Sequence, residues 1–372
     1  MHPIVIAAGG TGGHLFPAEA LAAELLRRGE RIALMTDARS SAYESAAFAN
    51  AERFVLSGAG LSGRGIRGAA RGSLALVAGT LQARKHLAVL QPCAVVGFGG
   101  YASFPPLAAA RLLPASRRPA IILHEQNAVL GRANRLMSRA ADLLALSFAN
   151  TRNVPAGARA AIVGNPVRPA LAALAGEPYP EPPPGGALRL LVTGGSQGAR
   201  VFADVVPMAV AALPESLRAR LLVSQQCRAE DLARTEAAYR AAGVVADLAP
   251  FFPDIAGRLA TAHLVIARAG ASTIAELACA GRPAVLVPLP SAIDDHQSAN
   301  ARALAEADAA WIHPQPGFTP AALAERLAAL LSAPARLSSA AGAAAGLARP
   351  QAARDLADQV LALARRVTMG TG

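Results

Sequence analysis

Aromatic side chains make up only 4% of the 372 residues, and nowhere do they alternate with basic residues in the pattern that stacks and neutralises nucleic acid. A nucleic-acid partner is therefore not expected, even though the formal net charge is +11. Cysteine is scarce as well: Cys93, Cys227 and Cys279 stand far apart without a C-x-x-C pair, which excludes a disulfide framework or a cysteine zinc site and predicts three small buried hydrophobes. No D-x-D signature offers two carboxylates to a metal. Long hydrophobic runs are missing too. The longest uncharged stretch, residues 87–110, is interrupted by Pro92, Gly97, Gly99, Gly100, Pro105 and Pro106, which suits strand, loop and helix rather than a spanning helix. Residues 1–8 have no basic region and too few apolar residues before the first glycines to read as a secretory signal, which predicts a cytoplasmic start.

What is present reads as globular, with 53% hydrophobic and 16% charged residues, and the length predicts two domains. The charge is unevenly placed. Residues 1–169 hold 19 Lys and Arg against 8 Asp and Glu, whereas the remainder holds 17 of each. From Arg53 to His124 there are nine basic residues (Arg53, Arg64, Arg67, Arg71, Arg84, Lys85, Arg111, Arg117 and Arg118) and no acidic one, which predicts a local positive field. Leu74, Leu76, Val77 and Leu81 lie among them, either as a face that dips into a lipid interface or as an ordinary core face between solvated arginines.

Short β-like runs alternate with longer helical patterns, the signature of parallel sheets flanked by helices. Strands are expected near residues 3–8, 31–36, 53–56, 94–97, 120–124, 143–147 and 161–163, forming one doubly wound domain. The pattern restarts near 188–193, 220–224, 244–248, 263–267, 284–288 and 309–313, forming a second. Between them "GEPYPEPPPGGA", residues 176–187, carries five prolines in seven positions and reads as a linker or surface loop near a boundary. At the far end Leu356, Val360, Leu363 and Val367 recur at helical spacing, so a last amphipathic helix should dock on apolar surface.

Glycine loops follow the strands. "AAGGTGGHLFPAEALAAELLRR", from Ala7, is read as strand, glycine turn and then a helix from about Pro17. Such a turn lies where open α/β sheets bind ligands, and bare backbone with unpaired N–H groups favours oxyanions. The spacing does not fit a dinucleotide fingerprint, since Leu15 occupies the third glycine position, and no lysine follows to make a Walker loop. "LLVTGGSQGAR" (190–200) repeats the device in the second half, and "VVGFGGYAS" (95–103) adds another turn in the first. Two sheets with glycine loops at their ligand edges predict two ligands meeting in a cleft between domains. In "ARAGASTIAEL" (267–277), Thr273 and Glu276 match a capping box, T-I-A-E, that needs no ligand; the alternative is that Glu276 accepts hydrogen bonds from a sugar diol.

Seven motifs in order, "GGTGGH" (9–14), "GFGGYAS" (97–103), "HEQN" (124–127), "GNPVR" (164–168), "GGSQGAR" (194–200), "RAGASTIAEL" (268–277) and "DDHQSANA" (294–301), closely resemble the MurG family over about residues 4–365. The resemblance implies a GT-B fold of two Rossmann-like domains. Residues 1–169 would be the acceptor and membrane-facing domain and 170–349 the donor domain, with 350–372 a helix returning to the first. It implies an inverting transferase, without a cofactor or bound metal, that moves N-acetylglucosamine from UDP-N-acetylglucosamine to the C4 hydroxyl of the muramyl sugar of lipid I, giving lipid II. The implied location is the cytoplasmic face of the inner membrane, with anionic lipid meeting the basic first domain and other cell-wall synthesis proteins as further partners.

Residue by residue, the resemblance implies donor contacts for Thr11, Gly12 and Gly13, an amino-sugar contact for Asn127 and a diphosphate contact for Arg168. Ser196 aligns with a diphosphate contact, and Phe252 lies where backbone groups read uracil. Ala271, Ser272, Thr273, Ile274, Ala275 and Glu276 align with the diphosphate and ribose segment, and Gln297 with His296 with the sugar hydroxyls. His14 is the candidate base for the attacking hydroxyl, with Glu125 second; the alternatives are that His14 only binds phosphate or orients the acceptor, and that Glu125 only caps the next helix. Two departures stand out. Where many relatives have a His-Gln pair this chain has Gln225 and Gln226, and its proline-rich segment is longer. Competing readings are a sugar-nucleotide epimerase, a transferase to another lipid, and a degenerate chain acting as scaffold.

Overall fold

The computed structural model describes residues 2–10, 12–41, 45–57, 66–195 and 198–369, excepting the side chains of 66–71 and 368–369. Two units divide the chain: Met1–Arg168 with Gln351–Gly372, and Pro169–Pro350.

The first unit runs β1 (Ile4–Ala7), α1 (Gly12–Arg27), β2 (Ile32–Asp37), β3 (Glu52–Leu56), α2 (Ile66–Leu90), β4 (Ala94–Gly97), α3 (Gly100–Arg111), β5 (Ala120–Glu125), α4 (Arg132–Met137), β6 (Leu143–Leu146) and β7 (Ala160–Ile162). Among the described residues its strands form one parallel sheet, ordered β3-β2-β1-β4-β5-β6-β7. β1 and β4 are buried at every position, as expected of strands covered on both faces. Alternation sorts their side chains. Ile4 and Ile6 pack with Leu21 and Leu25 of α1, whereas Val5 points to the other face, with Leu87 of α2 and Leu107 of α3.

The second unit runs α5 (Pro169–Ala172), β8 (Leu188–Thr193), α6 (Arg200–Ala211), α7 (Glu215–Arg218), β9 (Leu221–Gln226), α8 (Leu232–Ala241), β10 (Val245–Ala249), α9 (Ile255–Thr261), β11 (Leu264–Ala267), α10 (Ala271–Ala280), β12 (Ala284–Leu286), α11 (His296–Ala305), β13 (Ala310–Ile312), α12 (Pro320–Leu331) and α13 (Pro334–Gly346). Its parallel sheet is ordered β10-β9-β8-β11-β12-β13. Every strand expected from the sequence is present, with ends shifted by at most about two residues. The three cysteines are buried and free.

The last helix, α14 (Ala352–Met369), belongs to the first unit. Leu356, Val360 and Leu363 enter the core that holds Leu21 and Leu25, and Val367 packs beside them. Arg28 fastens the helix from outside, donating to Asp358 at 2.5 Å and to the Arg354 carbonyl at 3.2 Å.

Two local expectations are corrected. α1 starts at Gly12 rather than at Pro17, so His14 stands in the first helical turn and not in a loop. Gly10, at φ +90°, makes the turn, and Pro17 removes only the helical bond to the Gly13 carbonyl. Of the two readings of the proline-rich segment, surface loop holds and linker does not: the chain divides at Arg168, and the loop is tied into the second unit. The Tyr179 hydroxyl donates to the His263 carbonyl at 2.8 Å, its ring lies 5.7 Å from the Arg282 guanidinium, and Glu181 accepts from Ser338 at 2.8 Å.

Candidate functional site

In each sheet the strand order reverses once, at β1/β4 and at β8/β11. Connections leave the two strands of such a pair in opposite directions, which opens a crevice at their carboxyl ends where ligands bind. The chain places its glycine turns there: after β1, after β4 and after β8, while α10 starts directly after β11.

The first turn is clamped from below. A Cβ on Gly9 would stand 2.7 Å from Ala102 Cβ and 3.1 Å from an Asp37 oxygen, so only glycine fits. The Gly10 N–H donates to Ser40 Oγ at 2.6 Å, and Ser40 N–H donates to Asp37 at 3.1 Å. Phe16 covers Gly12, whose Cβ would lie 2.8 Å from the Phe16 ring, and the Arg168 guanidinium lies 4.7 Å from the centre of that ring. Gly13 is exposed and His14 half-buried. Thr11 lies outside the described residues.

Behind His14 runs a polar chain. His14 Nδ1 is 3.1 Å from Gln126 Oε1, Gln126 Nε2 is 2.9 Å from His124 Nδ1, and His124 Nε2 is 3.0 Å from the Gly164 carbonyl. Gln126 and His124 are buried, and burial pushes the His124 pKa down to about 4. The "GGTGGH", "GFGGYAS", "HEQN" and "GNPVR" motifs thus come together at one edge of the first sheet.

Glu125 does different work. Its carboxylate is buried and accepts from the Asn127 N–H (3.0 Å), Asn127 Nδ2 (3.1 Å), the Gly131 N–H (2.9 Å) and Asn134 Nδ2 (2.9 Å). Four donors occupy both oxygens, so the geometry makes Glu125 the organiser of the loop into α4, not a second base. It also orients Asn127.

In the second unit the turn after β8 is tight. A Cβ on Gly194 would stand 2.3 Å from the Ala199 nitrogen, Gly195 and Gly198 have positive φ, and the Gly198 N–H donates to the Gly195 carbonyl at 3.0 Å. Ser196, inside this turn, lies outside the described residues. Gln226 holds the turn: its Oε1 accepts from Thr193 Oγ1 (3.0 Å) and the Gly194 N–H (3.2 Å), and its Nε2 donates to the Gly195 carbonyl (2.8 Å) and the Pro250 carbonyl (3.1 Å). Gln225, at the position of the missing histidine, is buried and accepts from the Tyr239 hydroxyl at 2.6 Å.

α10 begins at Ala271 with Gly270 as its N-cap and no side-chain cap, which overturns the capping-box reading: Thr273 is inside the first turn, so Glu276 is not its partner. Ala271 and Ile274 are buried and offer only backbone, while Ser272, Thr273, Ala275 and Glu276 are half-buried. α11 is fastened beside this helix start by Asn300, which donates to the Ala269 carbonyl at 3.1 Å. Gln297 accepts from the Leu289 N–H at 2.9 Å, and His296 Nδ1 is 2.7 Å from the Ile293 carbonyl. Before α11, Asp294 and Asp295 both take positive φ, a strained entry of the kind kept at functional turns. Phe252 is buried beyond β10, with the Arg258 guanidinium 3.8 Å above its ring.

Gln126 and Gln226 are parts of the site that no sequence pattern singles out, because a buried amide that donates at one end and accepts at the other declares its role only through its neighbours.

The glycosyltransferase family 28 N-terminal domain matches residues 4–145 and the family's C-terminal domain residues 189–360. The UDP-N-acetylglucosamine–N-acetylmuramyl-(pentapeptide) pyrophosphoryl-undecaprenol N-acetylglucosamine transferase of Granulibacter bethesdensis is 59% identical, over 96% of this chain and 93% of its own. The transferase of the same name from Rhodospirillum centenum is 57% identical over 98% and 95%. Among solved structures, MurG of Acinetobacter baumannii has a TM-score of 0.76 at 31% identity, covering 96% of this chain and 99% of that one. A putative UDP-N-acetylglucosamine 2-epimerase from Listeria monocytogenes has a TM-score of 0.65 at 14% identity, so the fold by itself does not choose between transfer and epimerisation. With both halves matched in order and relatives more than half identical along almost the whole length, the chain belongs to glycosyltransferase family 28, and within it to the MurG family of GT-B enzymes.

Proposed function

We propose that the chain transfers N-acetylglucosamine from UDP-N-acetylglucosamine to the C4 hydroxyl of the muramyl sugar of undecaprenyl-diphosphate-linked muramyl pentapeptide, with inversion, forming lipid II. The observation that carries this reading is His14, clamped behind by Gln126 and flanked by two glycine turns at the switch point of the first sheet. His14 Nε2 takes the proton as the C4 oxygen bonds to the anomeric carbon, and the electron pair of the breaking C1–O bond leaves on the β-phosphate of UDP. In the second unit the charge that develops there is met by main-chain N–H groups at Gly194, Gly195 and Gly198 and at the uncapped start of α10, with Ser272 and Thr273 on that helix; the family resemblance adds Ser196 and, from the first unit, Arg168 as diphosphate contacts, with no resident metal. In the second unit Glu276 accepts from the ribose hydroxyls, the backbone at Phe252 reads uracil, and Gln297 with His296 takes the sugar hydroxyls; the first unit's assigned donor contacts are Asn127, Gly12 and Gly13.

The acceptor's polyprenyl tail fixes where the reaction happens, so the protein works as a peripheral protein on the cytoplasmic face of the inner membrane, beside other cell-wall synthesis proteins. Among the described residues no helix is long and apolar enough to cross a membrane. The basic first unit supports contact with anionic lipid through the exposed face of α2, where Leu74, Val77 and Leu81 project; Leu76 is half-buried and belongs to the inner side.

The test follows radiolabelled sugar from UDP-N-acetylglucosamine into the lipid fraction with lipid I as acceptor. Label should enter only when acceptor is present; donor turnover without it would favour epimerisation or hydrolysis. His14→Ala should lower kcat by about 10²–10⁴-fold with little change in donor KM. An unaltered kcat removes His14 as the base.

A further inference from the structure

The chain from His14 to Gly164 has only one consistent placement of its protons. The His124 carbonyl can only accept, and it lies 3.2 Å from Gln126 Nε2, so the amino end of the Gln126 amide faces His124. The amide oxygen therefore faces His14, 3.1 Å from Nδ1. An amide oxygen is an acceptor, so His14 Nδ1 must carry the hydrogen. A neutral imidazole has a single N–H, which leaves Nε2 of His14 with a bare lone pair. The other end agrees independently: the Gly164 carbonyl forces the proton of His124 onto Nε2, and His124 Nδ1 then accepts from Gln126.

We propose that Gln126 is a positioning residue that fixes the tautomer of His14, holding its proton on Nδ1 so that Nε2 faces the reaction as a base. The inference rests on the reading of His14 given above. Two features make the arrangement rigid. Gln126 is 1% exposed and His124 fully buried, so water does not compete for the amide. Charging His124 would place an N–H against the Gln126 amino group and turn the amide over, and burial opposes that charge. The glycine turn after β4 completes the seat: Gly99 and Gly100 both have positive φ, a Cβ on Gly99 would lie 3.6 Å from His14 Cε1, and one on Gly100 would lie 3.4 Å from Nε2. Bare backbone thus lies beside the ring on its Cε1, Nε2 and Cδ2 side, and the positive φ of both residues keeps that position glycine.

The test is a two-bond ¹H–¹⁵N correlation spectrum of the full-length protein with ¹⁵N-labelled histidine at pH 8, His14 being assigned by comparison with His14→Ala. In the wild type His14 should show the Nδ1–H pattern and His124 the Nε2–H pattern. Nε2–H at His14 overturns the proposal without recourse to any variant. Gln126→Leu should move His14 toward Nε2–H and lower kcat about five- to tenfold, the worth of one hydrogen bond, at nearly constant donor KM. Gln126→Glu, which keeps an oxygen against Nδ1, should retain the Nδ1–H pattern. An unchanged tautomer in the leucine variant refutes the role of Gln126. A changed tautomer with unchanged kcat supports that role and instead overturns His14 as the base, so the two failures are distinguishable.

Discussion

His124 and His263 each keep an imidazole neutral by burial. The pKa of His124 is pushed down to about 4 by desolvation, and that of His263 to about 4 by desolvation first and the nearby charges of Arg189, Arg282 and Arg220 after it. In the unfolded chain both titrate near 6.5. Between pH 6.5 and 4 the unfolded state therefore binds protons that the folded state does not, and stability must fall as pH falls through that window. Well above pH 6.5 neither state is protonated at these rings and their effect vanishes. For the fully buried His124 the loss approaches about 3 kcal/mol by pH 4. Urea unfolding across pH 4.5–8 should give a flat upper region and a decline below 6.5, and His124→Asn should remove that residue's share of the slope. A stability that stays level down to pH 5 contradicts the burial of neutral rings.

α14 shows how an element far along the chain supports a site near its start. Leu356, Ala357 and Val360 are fully buried against α1, whose first turn carries His14. Leu356→Ala leaves a cavity in this core and should cost about 2–5 kcal/mol, read as a lower urea midpoint at unchanged slope. A loss below about 0.5 kcal/mol, typical of surface positions, would mean that the helix is not docked as described. This helix was legible in advance, because Leu356, Val360, Leu363 and Val367 mark one face by spacing alone. The strands were legible for a similar reason: runs such as Ile4–Ala7 and Ala94–Gly97 are short, apolar throughout and bounded by glycine or proline. Helix starts were not. T-I-A-E has the same spacing whether Thr273 caps α10 or lies inside it, and what decides is that β11 ends at Ala267, leaving Gly270 as the cap. The start of α1 was hidden because two glycines read as turn until the positive φ of Gly10 shows where the turn is. Five prolines and a tyrosine in residues 178–184 likewise fit a linker as well as a surface loop, since nothing in their order reveals that Tyr179 reaches His263 and Arg282.

Charge is a property of the units rather than of any motif. The first unit holds 22 Lys and Arg against 10 Asp and Glu, and the second holds 14 against 15, so the positive excess lies wholly in the first. Of the 36 cationic residues only Lys85 is a lysine, and the guanidinium fork of the others suits phosphate oxygens. On α2 this charge is joined by apolar surface, with Leu74, Val77 and Leu81 at 69%, 58% and 55% exposure on one face, followed by exposed Arg84 and Lys85. An apolar stripe beside basic residues gains from burial below the headgroups and from the negative surface potential together, each basic residue adding about 1 kcal/mol near an anionic surface. Binding to vesicles rich in anionic lipid should therefore weaken as salt rises, since screening removes the electrostatic part and leaves the apolar part. The triple change Leu74→Ser, Val77→Ser, Leu81→Ser should weaken vesicle binding at least about tenfold at every salt concentration, because even partial burial of three such side chains exceeds 1.4 kcal/mol. Arg84→Ser with Lys85→Ser should instead flatten the salt dependence and leave the high-salt residue intact. If neither set alters vesicle binding, α2 is not the contact, and the exposed Leu136 among Arg132, Arg135 and Arg139 on and after α4 is the next face to test, by the same pair of salt curves.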